Sequence, residues 1–159
     1  MNQQLRDKVV GDIEKSGHSM IGVFSDDAPP FTYTIGLTGK HGFEIILIGA
    51  RTEHAGVILN AVAASLDKGF VIEEGKVYGS EDPDNTWVSA ACRFMKCDHP
   101  ELFTDYAVQA ALYYEHQMPV YQMVVPDAQG FFPEEDEFDH DYMDHRQPLL
   151  YRNQLREAS

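Results

Sequence analysis

Residues 31–50 of this chain read FTYTIGLTGKHGFEIILIGA. Across residues 31–37 large apolar and small polar residues alternate, which is the two-residue period of a strand with one buried face. Residues 43–48 are almost continuously apolar, as in a strand covered on both faces. Residues 38–42 between them are glycine-rich, which favours a tight turn. The stretch therefore predicts an antiparallel hairpin whose second strand lies centrally in a sheet.

The flanking residues extend this sheet. Residues 5–13 carry an apolar residue at every fourth position, which predicts a short amphipathic helix. Residues 20–24 form a short apolar run that ends in a proline-containing loop, so they predict another strand. Residues 52–69 have helical periodicity between a threonine cap and a glycine stop. This second helix is expected to pack one face on the sheet.

The second half of the chain predicts four more strands and one more helix. The strands are at residues 70–72, 76–78, 87–95 and 120–125, and an aromatic stripe over residues 98–117 indicates the helix. Strands arranged as hairpins, rather than alternating with helices, favour the α+β class. We predict a mainly antiparallel sheet or small barrel of about six strands, with about three helices.

Charge and composition exclude several classes of function. With 26 acidic and 12 basic residues among 159, the formal net charge is −14, which opposes binding to nucleic acid and to anionic membranes. No apolar run approaches the ~20 residues of a membrane span, and the first residues lack the apolar stretch of a signal peptide. A cytoplasmic protein is expected.

The acidic residues are unevenly distributed. Seven of them lie within residues 134–144, a stretch without Lys or Arg, and such runs are usually solvated. We predict one domain over residues 1–150 that includes an acidic loop at 134–146, followed by a tail at 151–159. Residues 147–150 have the apolar character to dock on the body.

No complete catalytic or metal constellation is present in the sequence. Residues 36–42 lack the Lys-Ser/Thr order of a phosphate-binding loop, and no nucleophile elbow occurs. Cys92 and Cys97 have neither redox nor zinc spacing, so they are predicted to be reduced and unreactive. His140 and His145 stand among aspartates, but their spacing fits no helical zinc or calcium-loop pattern. We favour a solvated loop over a metal site there.

Four ordered blocks make the chain resemble a known family. They are PPFTYTIGLT at 29–38, FEIILIG at 43–49 with ILN at 58–60, YQMVVPD at 121–127 with FP at 132–133, and QPLL at 147–150. Over roughly residues 17 to 150 the chain is similar to the bacterial family called domain of unknown function 4262. It departs from the family at His18 and in the acidic insertion, so that insertion is not expected to hold a function common to the family. The resemblance implies no assigned activity and no cofactor.

The family blocks contain polar residues that packing alone does not require. These are Tyr33, Thr34, Thr38, Asn60, Gln122, Asp127 and Gln147. Polar groups that converge beside apolar walls are typical of a ligand pocket, although such groups also satisfy buried backbone and cap turns. Our leading hypothesis is a non-catalytic module that binds a small ligand or a protein partner through these residues.

Two other functions stay open. One is a flavin- or nucleotide-dependent enzyme on a small antiparallel barrel, for which Lys40, Arg51 and Arg93 are the candidate phosphate ligands. The other is an interaction or inhibitor protein that acts through residues 134–144. The sequence alone does not decide whether the protein is an enzyme.

Overall fold

A computed structural model describes residues 1–151 of the chain. The helices are α1 (Gln3–Ser16), α2 (Leu37–His41), α3 (Thr52–Asp67), α4 (Val108–Tyr114) and α5 (His140–Met143), with a π-helical turn at Leu102–Tyr106 before α4. The strands are β1 (Ser19–Val23), β2 (Phe31–Ile35), β3 (Glu44–Ile48), β4 (Arg93–Lys96) and β5 (Val120–Val124). Of the predicted tail, only Tyr151 is described, and it is buried; residues 152–159 lie outside the described part.

The strands form one open mixed sheet in the order β1-β2-β3-β5-β4. β3 and β5 are parallel, and the other neighbours are antiparallel. The predicted hairpin is confirmed, with Tyr33 opposite Ile46 and β3 at the centre. The α+β class is also confirmed. The predictions of six strands and of a closed barrel are wrong for the described residues, because the sheet has five strands and its edge strands, β1 and β4, do not pair with each other.

The predicted strands at 70–72 and 76–78 are wrong. These residues form a loop, and their one sheet-like pairing is an isolated bridge between Tyr78 and Cys92. Between the two predicted strands, residues 73–76 form a turn in which the Lys76 N–H donates to the Glu73 carbonyl at 3.1 Å. The buried Asn85 amide lies 2.9–3.1 Å from the carbonyl oxygens of Tyr78, Gly79 and Ala90, so it holds the loop that follows this turn.

Two other predicted elements are shorter than expected. The strand at 87–95 is reduced to β4, and the helix at 98–117 divides into the π-helical turn and α4. The division falls at Ala107, whose ψ of 46° is not helical. The restarted helix needs acceptors for its first amides, and the Tyr33 hydroxyl accepts from the Gln109 N–H at 2.9 Å.

The glycine-rich connection is a short helix, α2, rather than the predicted turn. It begins after Gly36, whose φ is 118°, a conformation that favours glycine. A Cβ at Gly36 would lie 2.9 Å from the His18 Cα. Both the backbone angle and the close approach of the neighbouring chain therefore require glycine at this position.

Helices cover both faces of the sheet. On one face α1, α4 and the π-helical turn pack against Phe31, Tyr33 and Ile35, and on the other α3 packs against Ile45 and Leu47. Every residue of β2 and β3 is buried as a result. The alternation in β2 predicts one buried face only, and this is wrong because Thr32 and Thr34 lie beneath α3 rather than in solvent.

One stripe of α3 lies along β1. A Cβ at Gly22 would lie 2.9 Å from Thr52 Cγ2, a Cβ at Gly56 would lie 3.7 Å from Met20 Cε, and His18 Nε2 lies 2.8 Å from Asn60 Oδ1. Four helical residues rise ~6.0 Å and two strand residues ~6.6 Å. The spacing of every fourth residue in α3 therefore matches the spacing of every second residue in β1, and α3 runs antiparallel to β1.

Gly49→Ala is expected to destabilise the fold by about 2–4 kcal/mol. Gly49 has φ of 97°, and a Cβ there would lie 2.5 Å from the Arg146 carbonyl oxygen. Urea unfolding measures the change, with Gly39→Ala as the control because Gly39 has open space around it and alanine favours the α2 helix. Equal stability of the two variants would contradict the proposed contact.

Candidate functional site

The most constrained polar group is the carboxylate of Glu44, which is fully buried at the start of β3. One oxygen accepts from the Thr34 hydroxyl at 2.7 Å and the Leu37 N–H at 3.2 Å. The other accepts from the Thr38 N–H at 2.9 Å, the Thr38 hydroxyl at 2.5 Å and the Tyr114 hydroxyl at 2.7 Å. Donors alone surround it, and they match the acceptor-only oxygens of a carboxylate.

This arrangement replaces an ion pair. No Lys, Arg or His among the described residues pairs with Glu44. Its charge lies instead against the amides at the start of α2, where the helix presents positive partial charge. Burial and the Glu44 charge raise the pKa of Tyr114, so this hydroxyl stays protonated and keeps donating. The carboxylate therefore ties β2, α2, β3 and α4 together.

Sequence reasoning missed Glu44, although a signal was present. It is the one charged residue in the apolar run 43–48, and a charged residue within a buried strand requires partners. Thr34 and Thr38, both predicted site residues, are two of those partners. Their hydroxyls serve the carboxylate rather than an open cavity.

Two more of the predicted residues lie at separate places. The Tyr33 hydroxyl accepts the α4 amide described above, and burial raises the pKa of Tyr33 to about 12. Asn60 bonds His18 through the Nε2 nitrogen, while the His18 Nδ1 is buried without a hydrogen-bond partner in the described chain. Neither residue is hydrogen-bonded to the Glu44 carboxylate that Thr34 and Thr38 contact.

Gln122 and Gln147 hold the closing segment on the sheet. The Gln122 amide donates to the Pro148 carbonyl at 2.9 Å and its oxygen accepts from the Leu150 N–H at 2.8 Å. Gln147 accepts from the Val125 N–H at 2.9 Å and donates to the Val125 carbonyl at 3.0 Å. Leu150 is fully buried, so the predicted docking of residues 147–150 is confirmed.

Asp127 closes the turn after β5. Its carboxylate accepts N–H groups from Gln129, Phe131 and Asp139 at 2.9–3.0 Å. Burial raises the pKa of Asp127, but the donated backbone bonds outweigh it and hold that pKa below its usual value. All seven predicted site residues thus have partners within the chain, at five places, and their contact with a ligand stays a prediction.

An open cleft lies where α3 begins. It has a volume of about 350 Å³ and is lined by Phe24, Pro30, Arg51, Thr52 and Glu53. We call this the α3 cleft. No side chain caps the start of α3, so its first amides face outward with a positive partial charge. Phe24, 76% exposed, adds an apolar wall that the sequence did not single out.

Three basic residues are predicted from the sequence as anion ligands, and among the described residues Arg51 alone of the three has no acidic partner. Lys40 donates to both carboxylate oxygens of Asp67, at 3.0 and 3.3 Å. Arg93 pairs with Glu134 through both terminal nitrogens and bonds the Tyr151 hydroxyl at 3.0 Å. No ion pair among the described residues includes Arg51.

The β-sheet beneath the α3 cleft holds an unsatisfied polar atom. The Thr32 hydroxyl is buried and has no partner in the described chain. A Cβ at Gly22 would lie 3.7 Å from this oxygen and 3.2 Å from Thr52 Cβ, which places the hydroxyl under the first residue of α3. Buried polar groups are rarely left unpaired, so this end of the sheet has unused hydrogen-bonding capacity.

A second, larger groove of about 640 Å³ lies beside the end of α3. Its walls include Lys68, Lys76, Glu73 and Asp84, so they carry both signs of charge. The Lys76 ammonium already lies 4.9 Å from the centre of the Tyr78 ring, and Tyr78 accepts from the Glu73 N–H at 3.2 Å. This groove therefore lacks a cluster of charged side chains of one sign among the described residues.

The acidic stretch 134–144 is not the fully solvated loop that the sequence predicts. Phe138 and Met143 within it are buried, which corrects the expectation that only residues 147–150 dock in this region. Four of its seven acids have partners inside the chain; they are Glu134, Glu135, Asp139 and Asp144.

A sequence model of the family described as Domain of unknown function (DUF4262) matches residues 12–139. The match covers most of the chain and includes the first three sequence blocks that carry the resemblance, whereas the fourth block, at 147–150, lies beyond it. Neither the curated proteins nor the solved structures gave a significant match.

Glu44→Gln is expected to lower the free energy of unfolding by about 2–4 kcal/mol. The new amide group would direct N–H donors at the hydroxyl and N–H donors that now surround the carboxylate. Urea unfolding at neutral pH measures the loss. The control is Glu81→Gln at an exposed acid, which should leave the midpoint unchanged. An unchanged midpoint for Glu44→Gln would show that the carboxylate is not a structural centre.

Both cysteines are free and buried, as predicted, and burial raises the pKa of each thiol to about 12. The thiolate is the reactive form, and at pH 8 a thiol with that pKa is about 10⁻⁴ ionised. A thiol-specific disulfide reagent should therefore react with neither thiol in the native protein and with both thiols in urea. Rapid reaction of either native thiol would contradict this expectation.

Proposed function

We propose that this chain, which belongs to the domain of unknown function 4262 family, is a non-catalytic module that binds a small monoanionic ligand, a carboxylate, in the α3 cleft. The observation that carries the proposal is the position of Arg51, an arginine without an acidic partner in the described part of the chain, beside the uncapped amides that begin α3. Guanidinium groups and helix N-termini are complementary to carboxylates.

The lining of the cleft narrows the class of ligand. Glu53 shares the wall with Arg51, so a dianion such as a phosphate monoester would meet more repulsion than a carboxylate. The exposed ring of Phe24 and the ring of Pro30 also line the cleft and offer apolar contact. A volume of about 350 Å³ is at the small end of ligand pockets. A small carboxylate with an apolar or aromatic body fits these features.

In this proposal the seven predicted polar residues do not contact the ligand; their hydrogen bonds within the chain hold the fold that forms the cleft. Gln122 and Gln147 fix residues 147–150, and the backbone of Arg146, directly before them, packs against Gly49, two residues before Arg51. The loop that presents Arg51 is therefore held in place by the end of the domain. Preorganised loops lose less entropy when a ligand binds.

Titration with benzoate, followed by amide NMR shifts, tests the proposal. We expect shifts at the amides of Thr52, Glu53 and His54, and weaker effects from acetate and from benzyl alcohol. Arg51→Gln should weaken benzoate about tenfold, which is about 1.4 kcal/mol, whereas Glu53→Gln should strengthen it.

The matched control is Lys68→Gln, which removes the same charge at the opposite end of α3 and should leave the affinity unchanged. Absence of shifts at the start of α3, or equal affinities for Arg51→Gln and the unaltered chain, would overturn the proposal. Tighter binding of phenyl phosphate than of benzoate would instead favour the nucleotide-binding alternative.

A further inference from the structure

The two edge strands of the sheet, β4 and β1, differ in whether other residues cover their outer backbone groups. On the β4 side, residues 73–78 cover the outer edge: the Gly75 N–H donates to the Phe94 carbonyl at 3.0 Å, and the Lys96 N–H donates to the Glu74 carboxylate at 3.3 Å. On the β1 side the described residues 1–151 provide no such cover. No backbone group of residues 19–23 has a hydrogen-bond partner outside the sheet in the described chain.

The uncovered strand also lacks the features that discourage pairing with another chain. Its sequence, SMIGV, contains no charge and no proline, and edge strands are normally protected by lysine, proline, bulges or cover. Gly22 is exposed, and Met20, Ile21 and Val23 are partly exposed. Alternate N–H and C=O groups of this strand point away from β2, so they form a template for one more strand.

Charges at the two ends of β1 differ in sign. Lys8 and Lys15 flank Asp12 where the strand begins, and Asp12 bonds the Ser19 hydroxyl at 2.7 Å. Asp26 and Asp27 follow the other end and are exposed, and neither forms an ion pair with another described residue. The edge therefore has one net positive end and one negative end.

We propose that β1 is a docking surface for a second copy of this chain, paired antiparallel through β1 of each copy. A register centred on Ile21 places this residue opposite its own copy across a two-fold axis. It also brings the Lys15 end of each copy to the Asp26–Asp27 end of the other. The result is one continuous sheet with twice the five strands of the single chain, and it leaves no free β1 edge.

Charge and area set the strength of this contact. The net charge of −14 on each chain opposes association at low ionic strength, but at about 0.15 M salt the screening length is about 8 Å, so mainly the local pairs count. Five residues from each copy form a smaller interface than the roughly 1,200–2,000 Å² of stable complexes. The dimer should therefore be concentration-dependent. The proposal is independent of ligand binding in the α3 cleft.

Light scattering coupled to size-exclusion chromatography at physiological salt tests the proposal. We expect the mass to rise from 18.0 kDa towards twice that value between low and high micromolar concentrations. Asp27→Lys should reduce the association at least tenfold, because it would face Lys15 of the other copy. Lys15→Glu should do the same, and the double variant should restore the dimer. All the altered side chains are exposed, so folding should not change.

The matched control is Glu81→Lys, which changes the net charge equally at an exposed site of the 79–86 loop and should leave association unchanged. A monomer at every concentration would overturn the proposal. A dimer that resists both single charge reversals would also overturn it, because another surface would then hold the copies together.

Discussion

The rest of the structure depends on how a single buried negative charge is satisfied. Glu44 begins the central strand, and its oxygens collect hydroxyl and amide donors from β2, α2 and α4. A buried carboxylate without donors would cost several kcal/mol. Those four elements are therefore fixed relative to each other, and the short α2 helix exists because the carboxylate accepts the amides at its start. A packed apolar core alone would not specify this arrangement.

From that fixed centre the sheet grows in two directions with different outcomes. Towards β4 it ends beside the loop at residues 73–78, whose Gly75 N–H donates to the Phe94 carbonyl. Towards β1 it ends without cover at the edge, although α3 packs over one face of that strand through Thr52 and Gly56. The start of α3 thus lies near the uncovered edge, so the proposed ligand cleft and the proposed pairing surface share one side of the molecule.

The distribution of charge follows the same division. Much of the acidity in residues 134–144 is used inside the domain, where Glu134 neutralises Arg93 between the rings of Phe132 and Tyr151. Arg51, at the start of α3, has no such partner among the described residues. This contrast between the two arginines is the reason for proposing the anion site at Arg51 rather than at Arg93.

Periodicity and composition along the chain were enough to predict several features. These are the β2–β3 hairpin, the central position of β3, the α3 helix, the unreactive thiols and the docking of residues 147–150. Tertiary structure decided the rest. Residues 70–72 and 76–78, which were predicted as strands, form a loop whose one bridge joins Tyr78 to Cys92, and Thr34 and Thr38 donate to the buried Glu44 carboxylate. Tyr114, another donor to Glu44, lies 70 residues away along the chain. The choice of donor for each acceptor is therefore made in three dimensions, where a pattern along the chain carries no information.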